Sequence, residues 1–146
     1  MGKVIALVNH KGGCAKTTTS LLLAWGLYHR NNNYKILLVD LDPQRNLSRW
    51  LKAKTEDVPS TFELLTGEAK AEEVIQSLEC FDIMPASKDL ARAEIALPLT
   101  GKLKRLKKGL AQVKQLYDWV IVDTGPNLGV LSLNALIAAD EVLIPS

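Results

Sequence analysis

Residues 9–18 read Asn9-His10-Lys11-Gly12-Gly13-Cys14-Ala15-Lys16-Thr17-Thr18, set between an apolar run at 4–8 and a helical pattern opening at Lys16. Two adjacent glycines let the backbone turn so that successive N–H groups point inward at an anion. The helix that follows adds the positive end of its dipole. Phosphate is the natural guest of such a loop. Lys16 stands where an ammonium would reach the β- and γ-phosphates of a nucleotide, and Thr17 where a hydroxyl would take one position on Mg²⁺.

Two further segments carry carboxylates at the ends of apolar runs: 36–44, Ile-Leu-Leu-Val-Asp-Leu-Asp-Pro-Gln, and 119–126, Trp-Val-Ile-Val-Asp-Thr-Gly-Pro. Taken singly, Asp40 or Asp123 could be no more than a turn or cap residue closing a buried strand. Against the common G-x-x-x-x-G-K-[ST] pattern the first loop is irregular, because His10 and Ala15 occupy the glycine positions. It resembles instead the deviant Walker A loop, K-G-G-x-G-K-[ST]-[ST], of the ParA/MinD superfamily of ATPases, matching over 11–18 apart from Ala15. The segments at 36–44 and 119–126 resemble that superfamily's Walker A′ and Walker B, in the right order.

The resemblance implies a role for each matching position. Gly12, Gly13, Cys14 and Ala15 would give backbone amides to the phosphates, Lys16 the central ammonium, Thr17 the Mg²⁺ oxygen and Thr18 a further phosphate contact. Asp123 would hold Mg²⁺ through a water. Asp40 looks like the family's water-positioning carboxylate in the metal-proximal loop, with Asp42 beside it. Lys11 is the diagnostic residue, since in the family this lysine crosses to the nucleotide of a partner subunit. The implied activity is Mg²⁺-dependent hydrolysis of ATP to ADP and phosphate, driving an ATP-dependent homodimer switch of the kind used in plasmid or chromosome partitioning. The implied partners are a second copy, nonspecific DNA and a centromere-binding protein that stimulates hydrolysis. The alternative is a nonhydrolysing nucleotide-binding interaction module, or an inactive fragment, which would have no need to keep Lys11, Lys16, Thr17, Asp40 and Asp123 together.

Three departures from the family pattern bear on geometry. Ala15 replaces a glycine and costs little if its backbone is already helical, but about 1 kcal/mol or more if its φ is positive. Arg45 replaces the glycine that commonly follows D-P-Q, and Gly125 the first proline after Walker B. Cys14, at a helix N-terminus among cations, is either a thiol of lowered pKa or an inert small residue. Cys80 is expected to begin the third strand, and His10 and His29 lack ligand-like spacing.

The 146 residues, 47% hydrophobic and 23% charged with a net charge of +2, fit one globular α/β domain spanning 1–146. Two cysteines are too few for a disulfide framework. No apolar span is long enough to cross a bilayer and no secretory leader pattern opens the chain, so a cytoplasmic protein without membrane contact is expected. Continuous apolar runs near 4–9, 36–40, 80–85, 119–123 and 141–145 alternate with helical patterns near 16–30, 45–53, 61–66, 71–78, 87–97, 102–117 and 130–139. That alternation predicts a doubly wound, mostly parallel sheet with helices on both faces and ligands at the carboxyl ends of its strands, and the resemblance implies the P-loop NTPase version of it. Family members usually continue well beyond the last of these strands. Either a fragment of a longer protein or a natural C-terminal truncation is therefore expected, and as a whole polypeptide it would lack edge strands and part of its helical cover.

Residues 101–116 hold Lys102, Lys104, Arg105, Lys107, Lys108 and Lys114 with no acidic residue, while Leu103, Leu106, Leu110, Val113 and Tyr117 recur at helical spacing. A solvated face of an amphipathic helix is the plain reading, and a salt-sensitive contact with DNA phosphates is its rival. Residues 56–94 carry ten acidic side chains against three basic ones, so charge is polarised along the chain.

Overall fold

The computed structural model describes residues 2–9, 15–126 and 128–145, with only the backbone of Ala15. Six strands form one sheet: β1 (Lys3–Leu7), β2 (Ile36–Leu41), β3 (Gln76–Ser77), β4 (Asp82–Met84), β5 (Trp119–Thr124) and β6 (Glu141–Leu143). Their order is β3-β4-β2-β5-β1-β6, and every pairing is parallel except the two-residue contact of β3 with β4. Helices α1 (Ala15–Arg30), α2 (Asn46–Trp50), α3 (Thr61–Thr66), α4 (Ala71–Val74), α5 (Ala93–Ala96), α6 (Arg105–Leu110) and α7 (Val130–Ala138) supply the crossovers.

The apolar runs that look continuous in sequence sort by period two onto the two faces. Ile5, Leu7, Ile36, Leu38, Ile83 and Ile121 pack under α1 and α2 with Ala24, Leu47 and Phe81. Val4, Ala6, Leu37, Val39, Leu41, Met84, Val120 and Val122 turn to the other face, where α3 to α7 cover them. Leu37 and Leu38 are fully buried on opposite sides, each contributing about 1.5–3 kcal/mol of transfer free energy.

Local signals account for several boundaries. Ser60 accepts from the amide of Phe62 while the Glu63 carboxylate accepts from the amide of Ser60, a capping box that starts α3. Gly67, at φ 90°, ends it. His29 and Arg30 complement the dipole in the last turn of α1.

The helical layer departs from expectation in three places, and one strand start does as well. The pattern near 102–117 is not one helix: 3₁₀ turns at Lys102–Lys104 and Lys114–Leu116 flank α6. The side chain of buried Asn134 on α7 accepts from the Leu106 amide and donates to the Lys102 carbonyl, so helical hydrogen bonds are replaced at its start. Leu106, Leu110, Val113 and Tyr117 still reach the core, as their spacing requires, but Leu103 is exposed. The pattern near 71–78 yields only α4, after which Gln76 and Ser77 pair antiparallel with β4 as an edge strand. Residues 88–92 form a 3₁₀ turn before the short α5. Cys80 precedes β4 rather than opening it, and packs half-buried against the α1 face.

The sheet thus has edges at β3 and β6, and Val142, Leu143 and Ile144 expose apolar surface along the latter. Leu22 and Trp25 on α1 are exposed as well, with His29 stacked on Trp25 at 5.5 Å between ring centroids.

Candidate functional site

The carboxyl ends of β2, β5 and β1 lie side by side, because β5 sits between the other two. Parallel register sets Asp40 of β2 directly beside Asp123 of β5, and Leu7 of β1 beside Asp123 on the other flank. The chain returning between β2 and β1 creates a switch in strand order, the position where open α/β sheets bind ligands. Three segments far apart in sequence are thereby brought to one crevice.

Helix α1 crosses behind this edge and presents Thr17 and Ser20 to Asp123. The Thr17 hydroxyl donates to Asp123 Oδ2 at 2.8 Å and the Ser20 hydroxyl reaches Oδ1 at 3.2 Å, all three residues being buried. Lys16 is also buried, and its ammonium donates to the carbonyl of Asn9, just beyond β1, at 2.7 Å. Asn9 in turn donates from its side-chain amide to the Pro145 carbonyl, tying the β1 end to the segment after β6. Thr18, on the first turn of α1, is exposed. Ala15 is the first residue of α1, so its backbone is helical rather than left-handed. His10, Lys11, Gly12, Gly13 and Cys14 lie outside the described residues.

Asp40 is fixed more tightly than Asp123. Its Oδ1 accepts from the Asp42 amide at 3.0 Å, and its Oδ2 from both the amide (2.9 Å) and the hydroxyl (2.6 Å) of Ser48 on α2. The Ser48 hydroxyl also accepts from the Ala86 amide, and the Thr61 hydroxyl donates to the Asp40 carbonyl. Asp40 is therefore held by α2, α3 and the loop after β4 at once. Asp42 accepts from the Gln44 amide at 3.0 Å and lies against Gly125, where an added Cβ would come within 2.9 Å of its carboxylate. Gly125 is thus the residue that lets the loops after β2 and β5 close on each other. A cavity of about 400 Å³ opens beside this contact, lined by Pro43, Gln44, Glu94, Pro126 and Val130 among others.

Burial pushes both carboxyls up: Asp40 to about 6, against the hydrogen bonds from Ser48 and Asp42, and Asp123 to about 7, with the neighbouring Asp40 charge adding to the effect. Two buried carboxylates side by side, each with a hydroxyl bonded to it, form an oxygen donor set suited to a hard divalent cation. Arg45 occupies the left-handed region at φ 61°, the conformation for which glycine is the low-cost residue, and among the described residues its buried Nε finds no hydrogen-bond partner. The geometry that favours glycine at this position is retained despite the substitution.

The structure unites Lys16, Thr17, Asp40, Asp42 and Asp123 as their sequence positions suggested. Ser20 and Ser48 escaped the sequence reading. Ser20 was legible in principle, since it lies three residues after Thr17 on the same helical face. Ser48 had no signal, because only the turn at Arg45 aims α2 back at Asp40. Among the described residues no cluster of three or more His, Cys, Asp and Glu side chains forms a ready metal cage, and no helix is long and apolar enough to cross a membrane.

A mostly parallel α/β sheet with these carboxylates at its switch point is the fold of the P-loop NTPases. A family model described as an AAA domain (AAA_31) matches residues 2–146, so the chain belongs to that family, on the ParA/Soj-type branch. It is 43% identical to the sporulation initiation inhibitor protein Soj of Bacillus subtilis, over 99% of this chain and 58% of that protein. It is 40% identical to the chromosome-partitioning ATPase Soj of Treponema pallidum, over 99% of this chain and 57% of that protein. The chain thus spans just over half the length of these relatives. Among solved structures, it is similar to cobyrinic acid a,c-diamide synthase from Mycobacterium smegmatis with bound ATP analog and magnesium, at a TM-score of 0.93 and 38% identity, covering 100% of this chain and 59% of that one. It is also similar to the ATP complex of a McdA variant from Cyanothece, at a TM-score of 0.91 and 28% identity, over 99% and 56% respectively.

Proposed function

We propose that the chain is the nucleotide-binding part of a partition-type ATPase, which hydrolyses ATP to ADP and phosphate and uses ATP occupancy as a switch for dimerisation. The observation that carries this reading is the buried Thr17 hydroxyl on Asp123, with Asp40 locked beside it on the neighbouring strand. Relatives that are named partition ATPases, and solved relatives holding ATP or an analog with magnesium, support it.

In this reading Lys16 exchanges the Asn9 carbonyl for the β- and γ-phosphates, while the amides of Gly12, Gly13, Cys14 and Ala15 and the hydroxyl of Thr18 complete the cradle. Mg²⁺ would be held by the Thr17 oxygen and, through a water, by Asp123, and when bound it supplies positive charge against the phosphates. Asp40 orients the attacking water in the same metal-proximal loop. Its three donors, from Asp42 and Ser48, set the direction of its remaining lone pairs. Lys11 reaches the nucleotide of the second protomer. The exposed Lys104, Lys107 and Lys108 offer nonspecific contact to DNA, with affinity falling steeply as salt rises. A centromere-binding protein would accelerate hydrolysis, and the protein works in the cytoplasm on the nucleoid.

Phosphate release with Asp40→Ala and Lys16→Ala tests the assignment. Asp40→Ala should keep ATP binding while losing about 10²-fold or more in turnover, and Lys16→Ala should weaken binding itself. Unchanged hydrolysis by Asp40→Ala would remove that residue from its role.

A further inference from the structure

A cationic concavity lies at the opposite end of α3 from the strand-end site. Helix α3 starts where Thr61 bonds the Asp40 carbonyl and ends, about 9 Å further on at 1.5 Å per residue, at Gly67. There a groove of about 240 Å³ opens between α3, α4 and α6, with Lys70, Arg105 and Lys108 on its walls.

Arg105 is held in place. Its Nε donates to the Leu65 carbonyl at 2.6 Å, and a Cβ at Gly67 would come within 2.8 Å of its Nη2. Gly67, at φ 90°, therefore leaves room for the guanidinium as well as ending the helix. Gly109 does the same on the facing helix, where a Cβ would stand 2.9 Å from the Leu64 side chain. A glycine inside α6 costs about 1 kcal/mol of helix propensity, yet it allows α6 to approach α3.

The local charge favours an anion. Two of the carbonyls at the end of α3 are already occupied: Leu65 by Arg105, and Glu63 by the amides of Gly67 and Ala69. Nearby Glu68 accepts from the Thr66 hydroxyl, and Glu73 from the Lys70 amide. Among the described residues, no carboxylate forms an ion pair with Lys70, Arg105 or Lys108. Lys104 and Lys107 add exposed positive charge on the adjoining surface.

We propose that this groove is an anion site for a phosphoryl group, separate from the strand-end site. The fixed Arg105 fork gives paired N–H donors to two phosphate oxygens, and Lys70 and Lys108 close over the remaining charge. The phosphoryl group belongs either to a free oligophosphate or to a nucleic-acid backbone, which present the same chemistry.

Amide chemical shifts of the ¹⁵N-labelled chain test this, with inorganic pyrophosphate titrated at low salt in EDTA. Saturable shifts are expected at Gly67, Lys70, Ala71 and Gly109, with affinity about tenfold weaker in the Lys70→Gln/Lys108→Gln double variant. Both lysines are exposed, so that variant should fold. A parallel titration with a short DNA duplex separates the sources. Shifts at the same amides, competed by pyrophosphate, identify backbone phosphate, and their absence identifies a free oligophosphate. Pyrophosphate shifts confined to the residues around Lys16, shifts that never saturate, or equal affinity in the double variant would each overturn the proposal.

Discussion

The two faces of the sheet solve the same packing problem with different materials. On the α1 side a single helix, Ala15–Arg30, and the short α2 cover a small cluster of isoleucines, leucines and aromatics, and they carry the polar side chains that hold Asp123 and Asp40. The other side is covered by α3 to α7 and intervening 3₁₀ turns over a larger aliphatic cluster, with the Ser60 capping box, Gly67 and Asn134 joining the pieces. One face is built to hold charge at a strand edge and the other to bury area. A residue removed from the first should therefore change pH dependence and turnover, and one removed from the second should change stability alone.

The largest expected effect breaks the second face. Leu65→Ala, at a fully buried position on α3, should cost about 2–5 kcal/mol in denaturant unfolding while leaving the form of the pH profile intact.

Next comes the pH dependence of the first face. Asp40 and Asp123 have folded-state values raised to about 6 and about 7 from an ordinary value of 3.8. The folded state therefore binds more protons than the unfolded state between these limits, and stability must fall as pH rises from about 4 through about 7. The loss from Asp123 alone is on the order of 4 kcal/mol in metal-free buffer. Asp123→Asn should flatten that decline, so its thermal midpoint should exceed that of the parent at pH 8 in EDTA. A parent midpoint that is level from pH 5 to pH 8 would contradict the desolvated carboxylate pair.

Ser48→Ala should be smaller, at about 1–3 kcal/mol, since it removes the hydroxyl that bridges Asp40 and the Ala86 amide. Unlike Leu65→Ala, it should also lower phosphate release, which sharpens the contrast between the faces. The smallest effect is expected from Arg45→Gly, which relieves a left-handed backbone and an unpartnered Nε but adds freedom to the unfolded chain. A net stabilisation of about 0.5–1 kcal/mol should appear as a higher denaturant midpoint.

The same contrast explains what the sequence could show. Strand positions, the parallel sheet and the meeting of Lys16, Thr17, Asp40 and Asp123 were legible, because apolar runs and the carboxylates ending them are local patterns. The long α1 was legible for the same reason. The break at α6 was not, since it depends on Asn134 arriving from α7 to bond Leu106 and Lys102. Nor was the β3 edge strand, because the helical pattern near 71–78 competes with pairing to β4, a tertiary contact. Ser48 belongs with these: its role exists only after Arg45 has turned the chain.

The most direct test of the central claim is sedimentation of the purified chain with Mg²⁺ and either ATP or ADP, with phosphate release followed in the same samples. Dimers that form with ATP and not with ADP, together with slow release of phosphate, are the predicted result. Monomers under both conditions, with nucleotide bound and no phosphate released, would contradict the ATPase switch.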